Sequence, residues 1–431
     1  MWKEVLNEIY NETRNTSGGK VADYIPQLAK VNPDLYGISF CSVEGEQINI
    51  GDYTQAFCLQ SCSKPLNYCL ARMLNNNVHD HVGYEPSGRE FNSFVLNREG
   101  LPHNPMINAG AIMISSLIEA KKEPSSRFEA VKEFYEKLGG GVGKIGFDNT
   151  VYLSEKHHAD RNTSLAYYMR ENGAFNNNPS PNDIQDALNL YFQCCSVTLN
   201  CETAAVIAGT LSNGGVCPIT NKVVIKKEIV RDCLSLMYMC GMYDFSGQFA
   251  FKIGLPAKSG VSGCMLVVIP NVGGLCIWSP RLDEMGNSVR GIECCKKLVE
   301  RTNSKYHIFQ GIMETPLGTN ELVEESETVL VQRLITAASE GNLGEIKALE
   351  ERISLDATDY DMRTALHLAA ADGHTLVVTY LLEKGVKAYP KDRWGNTPYH
   401  EASQKSVGCN GGGKQKQYQT ICEMLEKEKE K

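Results

Sequence analysis

FCLQSCSKPLNYCL, residues 57–70, places Ser61 three positions before Lys64, with Pro65 directly after the lysine. Proline is tolerated only in the first turn of a helix, so Pro65 predicts that a helix over SKPLNYCLARML begins close to Ser61. Serine favours that boundary, where the positive end of the helix dipole and free main-chain N–H groups stabilise developing negative charge. Lys64 falls one turn on, along the same face. A lysine stripped of water beside that positive end loses its preference for the ammonium form and becomes a base for the serine proton. The same residues also describe an N-capping serine beside a solvated lysine, and both readings stand on this stretch alone. A second S-x-x-K, Ser17 to Lys20 in TSGGK, reads as a loop through its two glycines and shows that the motif is weak without context.

Context comes from KSG at Lys258–Gly260, the chain's only K-[ST]-G, which opens the apolar run CMLVVIP (264–270). In β-lactamases and penicillin-binding proteins S-x-x-K at a helix start faces K-T-G on a strand edge. The order is the same here. A strand edge supplies a second main-chain N–H, so an oxyanion hole is expected from the amides of Ser61 and the residue after Gly260.

Bulk composition narrows the classes. The chain has 431 residues, 42% hydrophobic and 22% charged, which suits a globular protein of two or three domains. A net charge of −8 argues against a nucleic-acid surface, and no apolar run approaches the roughly 20 residues that span a bilayer. Trp2, Val5, Leu6, Ile9 and Tyr10 recur at helical spacing in an N-terminus that reads neither as a signal peptide nor as a transit peptide. The 16 cysteines, many inside apolar runs and none in a C-x-x-C pair, point to free thiols in a reducing, intracellular compartment and away from a zinc site.

The tail repeats itself. TALHLA begins at Thr364 and TPYHEA at Thr397, 33 residues further on, the ankyrin period and signature. Each follows an aspartate-bearing turn, DYDMR or DRWGN, and two helical stretches follow the first. LITAASEGNLGEIKALEE (334–351) resembles the same helix pair without its hairpin. One ankyrin unit cannot bury its apolar face, so about three are expected. Residues 311–328, polar and acidic, read as a linker. The expected organisation is a catalytic domain over 1–310, that linker, and ankyrin repeats over 329–428. CMLVVIP and LCIWSP, flanking NVGG, read as a hairpin; with helical stretches such as SSRFEAVKEFYEKLG they give the first domain an α+β class.

Several segments together closely resemble the animal, phosphate-activated glutaminases: GKVADYIPQLA (19–29), FCLQSCSKPL (57–66), PHNPMINAGAI (102–112), YLSEKHHADRN (152–162), LNLYFQCCS (188–196), CGMYDFSGQFAFKIGLPAKSGVSG (240–263) and WSPRLDEMGNSV (278–289). The resemblance implies a β-lactamase-like, penicillin-binding-protein-like catalytic domain followed by ankyrin repeats, and hydrolysis of L-glutamine to L-glutamate and ammonia. It implies Ser61 as nucleophile, Lys64 as its proton acceptor, and Tyr191 and Tyr243 lining the reacting centre. Tyr24, Asn108, Glu155 and Asn162 would hold the amino-acid end of glutamine, and Val261 would lend its N–H. These residue types suit the work, since an α-ammonium needs a carboxylate and an α-carboxylate needs amide and phenol donors. It further implies no cofactor, inorganic phosphate as activator, a homotetramer, and a mitochondrial setting; without a transit peptide the chain as written reads as cytosolic. Residues 83–105 match the family's gating loop in outline, and Cys264 stands where the family often has glycine.

Other motifs read as structural. GVGKIG (141–146) has the dinucleotide spacing but follows a helix and leads into the strand-like TVYLS. GCNGGGKQ (408–415) has Gln415 where a P-loop needs Ser or Thr. The histidines of HDH (79–81) and HH (157–158) lack metal-ligand spacing, and His367 and His400 belong to the ankyrin signature. Two alternatives to the glutaminase reading stand beside it: an ankyrin scaffold that binds a protein partner and whose first domain is inactive, and an enzyme for β-lactams or peptides.

Overall fold

The computed structural model describes residues 2–88, 93–175, 179–302, 305–307, 327–408 and 413–429. It divides into two compact units, Met1–Met313 and Glu314–Lys431. The first is built on a five-stranded antiparallel sheet. Strands β1 (Gly37–Ser42) and β2 (Gln47–Gly51) come first, and β6 (Ala257–Ser259), β7 (Cys264–Ile269) and β8 (Gly273–Trp278) come last, in the spatial order β2-β1-β8-β7-β6. Every residue of β1, β7 and β8 is buried. Alternation sends Ile38, Phe40, Met265, Val267, Leu275 and Ile277 to one face, where helices Trp2–Thr13 and Val289–Arg301 cover them with Leu6, Ile9, Ile292 and Leu298. Leu266, Val268, Cys276 and Trp278 face the larger, helical core. Two covered faces explain why these strands read as continuous apolar runs, the pattern more usual in parallel sheets.

Helix Cys201–Ser212 lies so close to the second face that a Cβ on Gly274 would stand 2.0 Å from the Gly209 nitrogen. The turn between β7 and β8 is made by Asn271 at φ +60°, and the glycines read as turn residues in NVGG belong to β8.

A small second sheet, β3 (Phe57–Cys58), β5 (Val197–Leu199) and β4 (Gly146–Phe147), pins the approach to Ser61: Phe57 pairs with Leu199, and Leu59 N donates to Val197 O at 2.8 Å. The helix Ser63–Leu74 then runs through the helical core, buried from Ser63 to Ala71. Pro65 sits in its first turn, as expected, but Ser61 does not start or cap it. Ser61 occupies a single 3₁₀ turn, Gln60–Cys62, ahead of the helix, and Ser63 Oγ bonds Gln60 O at 2.7 Å. TVYLS is also corrected: it forms helix Asn149–His157, because Asp148 accepts from the N–H groups of Thr150 and Val151 and so starts a helix.

The second unit stacks three helix pairs: Glu327–Glu340 with Leu343–Leu349, Ala365–Asp372 with Thr375–Glu383, and Pro398–Gly408 with Gly413–Lys429. The ankyrin signature has a visible physical basis. Asp359 and Asp392 Oδ1 each accept from the second and fourth following N–H groups, closing the hairpin tips. His367 Nδ1 accepts from Thr364 N at 3.1 Å, while its Nε2 reaches Asn396 O at 3.2 Å in the next unit. Residues 311–326 of the expected linker and Cys409–Gly412 of the glycine-rich insertion lie outside the described residues; Glu327 and Thr328 already belong to a helix.

Candidate active site

The turn that carries Ser61 is held from three directions. Ahead of it, β3 ends at Cys58. Within it, Gln60 takes the left-handed conformation at φ +49°, a strained geometry for a side chain with a Cβ and of a kind that clusters at functional sites. Across from it stands the K-S-G strand. Cys62 Sγ donates to Lys258 O at 3.3 Å and Cys264 O at 3.4 Å, and a Cβ on Gly260 would lie 2.9 Å from Leu59 O. Gly260 N bonds Cys264 O and Gly263 N bonds Gly260 O, and Val261 sits inside that turn. The turn thus brings Ser61, 9% exposed, against the 258–261 strand end, as the pairing of the two motifs requires.

Lys64 is 2% exposed, and its Nζ donates to the amide oxygen of Asn108 at 2.7 Å. An amide oxygen holds an amine without stabilising its charge as a carboxylate would. Burial, and then repulsion from Lys258, bring the Lys64 pKa down to about 7, so the free amine is accessible near neutrality. Asn108 opens helix Asn108–Leu117 and passes the connection on, its Nδ2 donating to Asn162 Oδ1 at 3.0 Å.

Glu155, 8% exposed on helix Asn149–His157, accepts from Tyr24 OH at 2.6 Å and Gln60 Nε2 at 2.9 Å. Burial pushes its pKa up while these two bonds hold it down. Tyr24 leaves 46% of its surface in solvent, with its hydroxyl engaged by Glu155. Tyr191 is buried on helix Pro181–Cys195; burial first, then Cys195 and the Glu155 carboxylate, push its phenol well up. Tyr243, at φ +53°, lies with its ring 4.5 Å from Lys258 Nζ, and its hydroxyl interacts with Ser61, which opposes the upward push of burial. All the expected residues therefore meet around one turn: Ser61, Lys64, Asn108, Asn162, Glu155, Tyr24, Tyr191, Tyr243 and Val261.

Two neighbours escaped sequence reasoning. Gln60 bonds Glu155, and its signal was a lone amide in an otherwise apolar approach to Ser61. Lys258 is fully buried, and K-S-G was read there for its main chain alone. Among the described residues no group of three or more His, Cys, Asp or Glu side chains could hold a metal ion, and no helix is long and apolar enough to cross a membrane.

A buried S-x-x-K turn against a K-S-G edge strand, with helices on both faces of an antiparallel sheet, defines the β-lactamase-like class of α+β fold. Comparison narrows this further. The glutaminase family model matches residues 19–309, and a model of three ankyrin repeats matches 334–427. The chain belongs to the glutaminase family. The rat and mouse proteins named glutaminase liver isoform, mitochondrial, are each 46% identical over 405 residues, covering 93% of this chain. The chain spans 66% of the length of each. A Nostoc glutaminase is 41% identical over 312 residues, 71% of this chain and 90% of its own. Among solved structures, a probable glutaminase superposes with TM-score 0.67 at 33% identity, covering 72% of this chain and 98% of its own. A probable glutaminase from Bacillus subtilis, complexed with 6-diazo-5-oxo-L-norleucine, gives 0.61 at 31%, covering 71% and 94%.

Proposed function

We propose that this chain hydrolyses the side-chain amide of L-glutamine, releasing ammonia and L-glutamate through an acyl-enzyme on Ser61. The observation that carries the reading is a lysine sealed from water and bonded to an amide oxygen, one turn from a serine at the mouth of a strained loop. In this scheme Lys64 Nζ takes the Ser61 proton as Oγ attacks the amide carbon. The N–H groups of Ser61 and Val261 receive the oxyanion. The C–N bond breaks as the proton passes, directly or through the Tyr243 phenol, to the departing ammonia. Water then attacks the ester, with Lys64 again as base, and glutamate leaves. Glu155, fixed by Tyr24 and Gln60, takes the α-ammonium; Asn108, Asn162 and Tyr191 orient the amino-acid end.

The scheme draws only on side-chain and main-chain groups and water. The scaffold alternative is weaker, because every position of the set holds a residue able to act in it. Glutaminases are the named relatives, and the Bacillus structure carries a ligand with a diazoketone in place of the glutamine amide. Inorganic phosphate as activator, a homotetrameric state and an intracellular, reducing setting extend the same reading. The fifteen described cysteines, all free thiols, favour that setting.

Purified protein should release ammonia from L-glutamine, and Ser61→Ala should lower kcat/KM by about 10⁴-fold or more. Undiminished release from the variant rules the scheme out. The same assay with and without phosphate, alongside light scattering, tests activation and tetramer formation; a phosphate-indifferent monomer rejects both.

A further inference from the structure

Lys258 is fully buried, with Nζ donating to Gly241 O at 3.1 Å and to Ser259 O at 2.6 Å. Its third side lies over the face of Tyr243, 4.5 Å from the ring centroid. Two carbonyls and an aromatic face stabilise an ammonium without neutralising it. The same residue is joined to the nucleophile turn through Cys62 Sγ, which bonds its carbonyl. An ammonium is thus built into the wall beside the Ser61 turn, and in low dielectric it acts on Lys64 against protonation.

We propose that Lys258 is a positioning residue for Lys64, the charge that keeps the Lys64 amine free to take the Ser61 proton and so sets the acid edge of activity. The proposal rests on the serine–lysine reading above. Other groups around the two lysines oppose or sit out this effect. Cys62 on the same turn and Cys195 from helix Pro181–Cys195 act upward on Lys64, against Lys258. Cys62, Cys240 and Cys264 act upward on Lys258, which burial brings to about 8. The phenols of Tyr191 and Tyr243 are pushed well up and stay neutral, while Glu155 spends its charge on Tyr24 and Gln60. Lys258, held by two carbonyls and the Tyr243 ring, is the better-stabilised ammonium of the two, and Lys64, on a single amide oxygen, is the one that gives up its proton.

The test reads Ser61 without relying on glutamine. A fluorophosphonate forms an Oγ–phosphorus bond, expels fluoride and leaves the serine proton on Lys64; intact mass follows its rate against pH. In the wild type the rate should rise through a midpoint near that of Lys64. Lys258→Gln, which keeps a donor and removes the charge, should move the midpoint up by about one pH unit. That shift makes labelling about tenfold slower on the acid side and leaves the alkaline plateau unchanged. Lys258→Arg should restore the wild-type midpoint. Lys258→Met, which fills the space without a donor, stands in if the Gln variant does not fold, and a thermal melt decides which to use. A neutral variant with an unshifted midpoint, or an Arg variant shifted as far as the neutral one, overturns the role. A wild type that labels at Ser61 yet yields no ammonia from glutamine overturns the substrate reading alone.

Discussion

Lys64 imposes a cost on the fold that its proposed role as a base accounts for. Its pKa stands at about 7 in the folded chain against 10.5 in an open one, so between those values the unfolded state binds a proton that the folded state releases, and below pH 7 the folded state must carry a buried charge. That gap is worth at most about 5 kcal/mol, fully felt below pH 7, shrinking as pH rises and gone above 10.5. Replacing the lysine with methionine removes it but leaves Asn108 Oδ1 without its donor, which costs about 1–3 kcal/mol. Lys64→Met should therefore lose ammonia release and yet be more stable than the parent by about 2 kcal/mol at pH 6. The gain should fade and reverse towards pH 10. Denaturant melts at the two pH values measure this, and a variant less stable than the parent at pH 6 contradicts the picture of a strained base. Gln60 and Tyr243, both left-handed beside Ser61, belong to the same economy: local strain held in place by packing around the reacting atoms.

At the scale of elements, the site is the meeting of two pieces that share no helix or strand. The Gln60–Cys62 turn comes from β3 and its pairing with β5, and the K-S-G strand end from β6, at the edge of the larger sheet. Gly260 sets their separation, since a Cβ there would stand 2.9 Å from Leu59 O and 3.2 Å from Cys62 Sγ. A methyl group there must move the strand end away from the Ser61 turn. Gly260→Ala should keep the parent's circular dichroism while kcat falls by about 100-fold, the lower end of the scale on which oxyanion donors act. A fully active Gly260→Ala would mean that the strand end takes no part in catalysis. Gly274 is tighter still, since a Cβ there would stand 2.0 Å from Gly209 N in the Cys201–Ser212 helix, away from the site.

On the scale of the whole molecule, the two units have separate cores. Leu334, Ile346, Leu366, Val378, Ile421 and Leu425 form the core of the second, and every proposed site residue lies in the first. A unit with its own core and a complete site is expected to fold and work alone. A fragment ending at Met313 should therefore keep kcat/KM for glutamine within about threefold of the full chain. The Nostoc relative matches 71% of this chain over 90% of its own length, which is in keeping with a catalytic unit that stands by itself. Loss of activity in a folded fragment would mean that the ankyrin unit completes the enzyme.

What the sequence determined by itself was the local chemistry and the repeats. A proline after Lys64, a single K-S-G and a 33-residue period carry their meaning in adjacent residues, because φ limits, hairpin tips and helix starts are set within a few positions. Where local signals were evenly balanced, as in TVYLS, the Asp148 cap tipped the outcome to helix. The tertiary structure alone decided the state of the groups. Lys64 meets Asn108 44 residues away, Gln60 meets Glu155 at 95, and Tyr24 meets Glu155 at 131. A side chain's charge depends on the water it has lost and the charges folded against it, and no linear pattern contains either. Hence a serine and a lysine could be named from the chain, but that the lysine is sealed from water, bonded to Asn108 and brought down to about 7 emerged only from the fold.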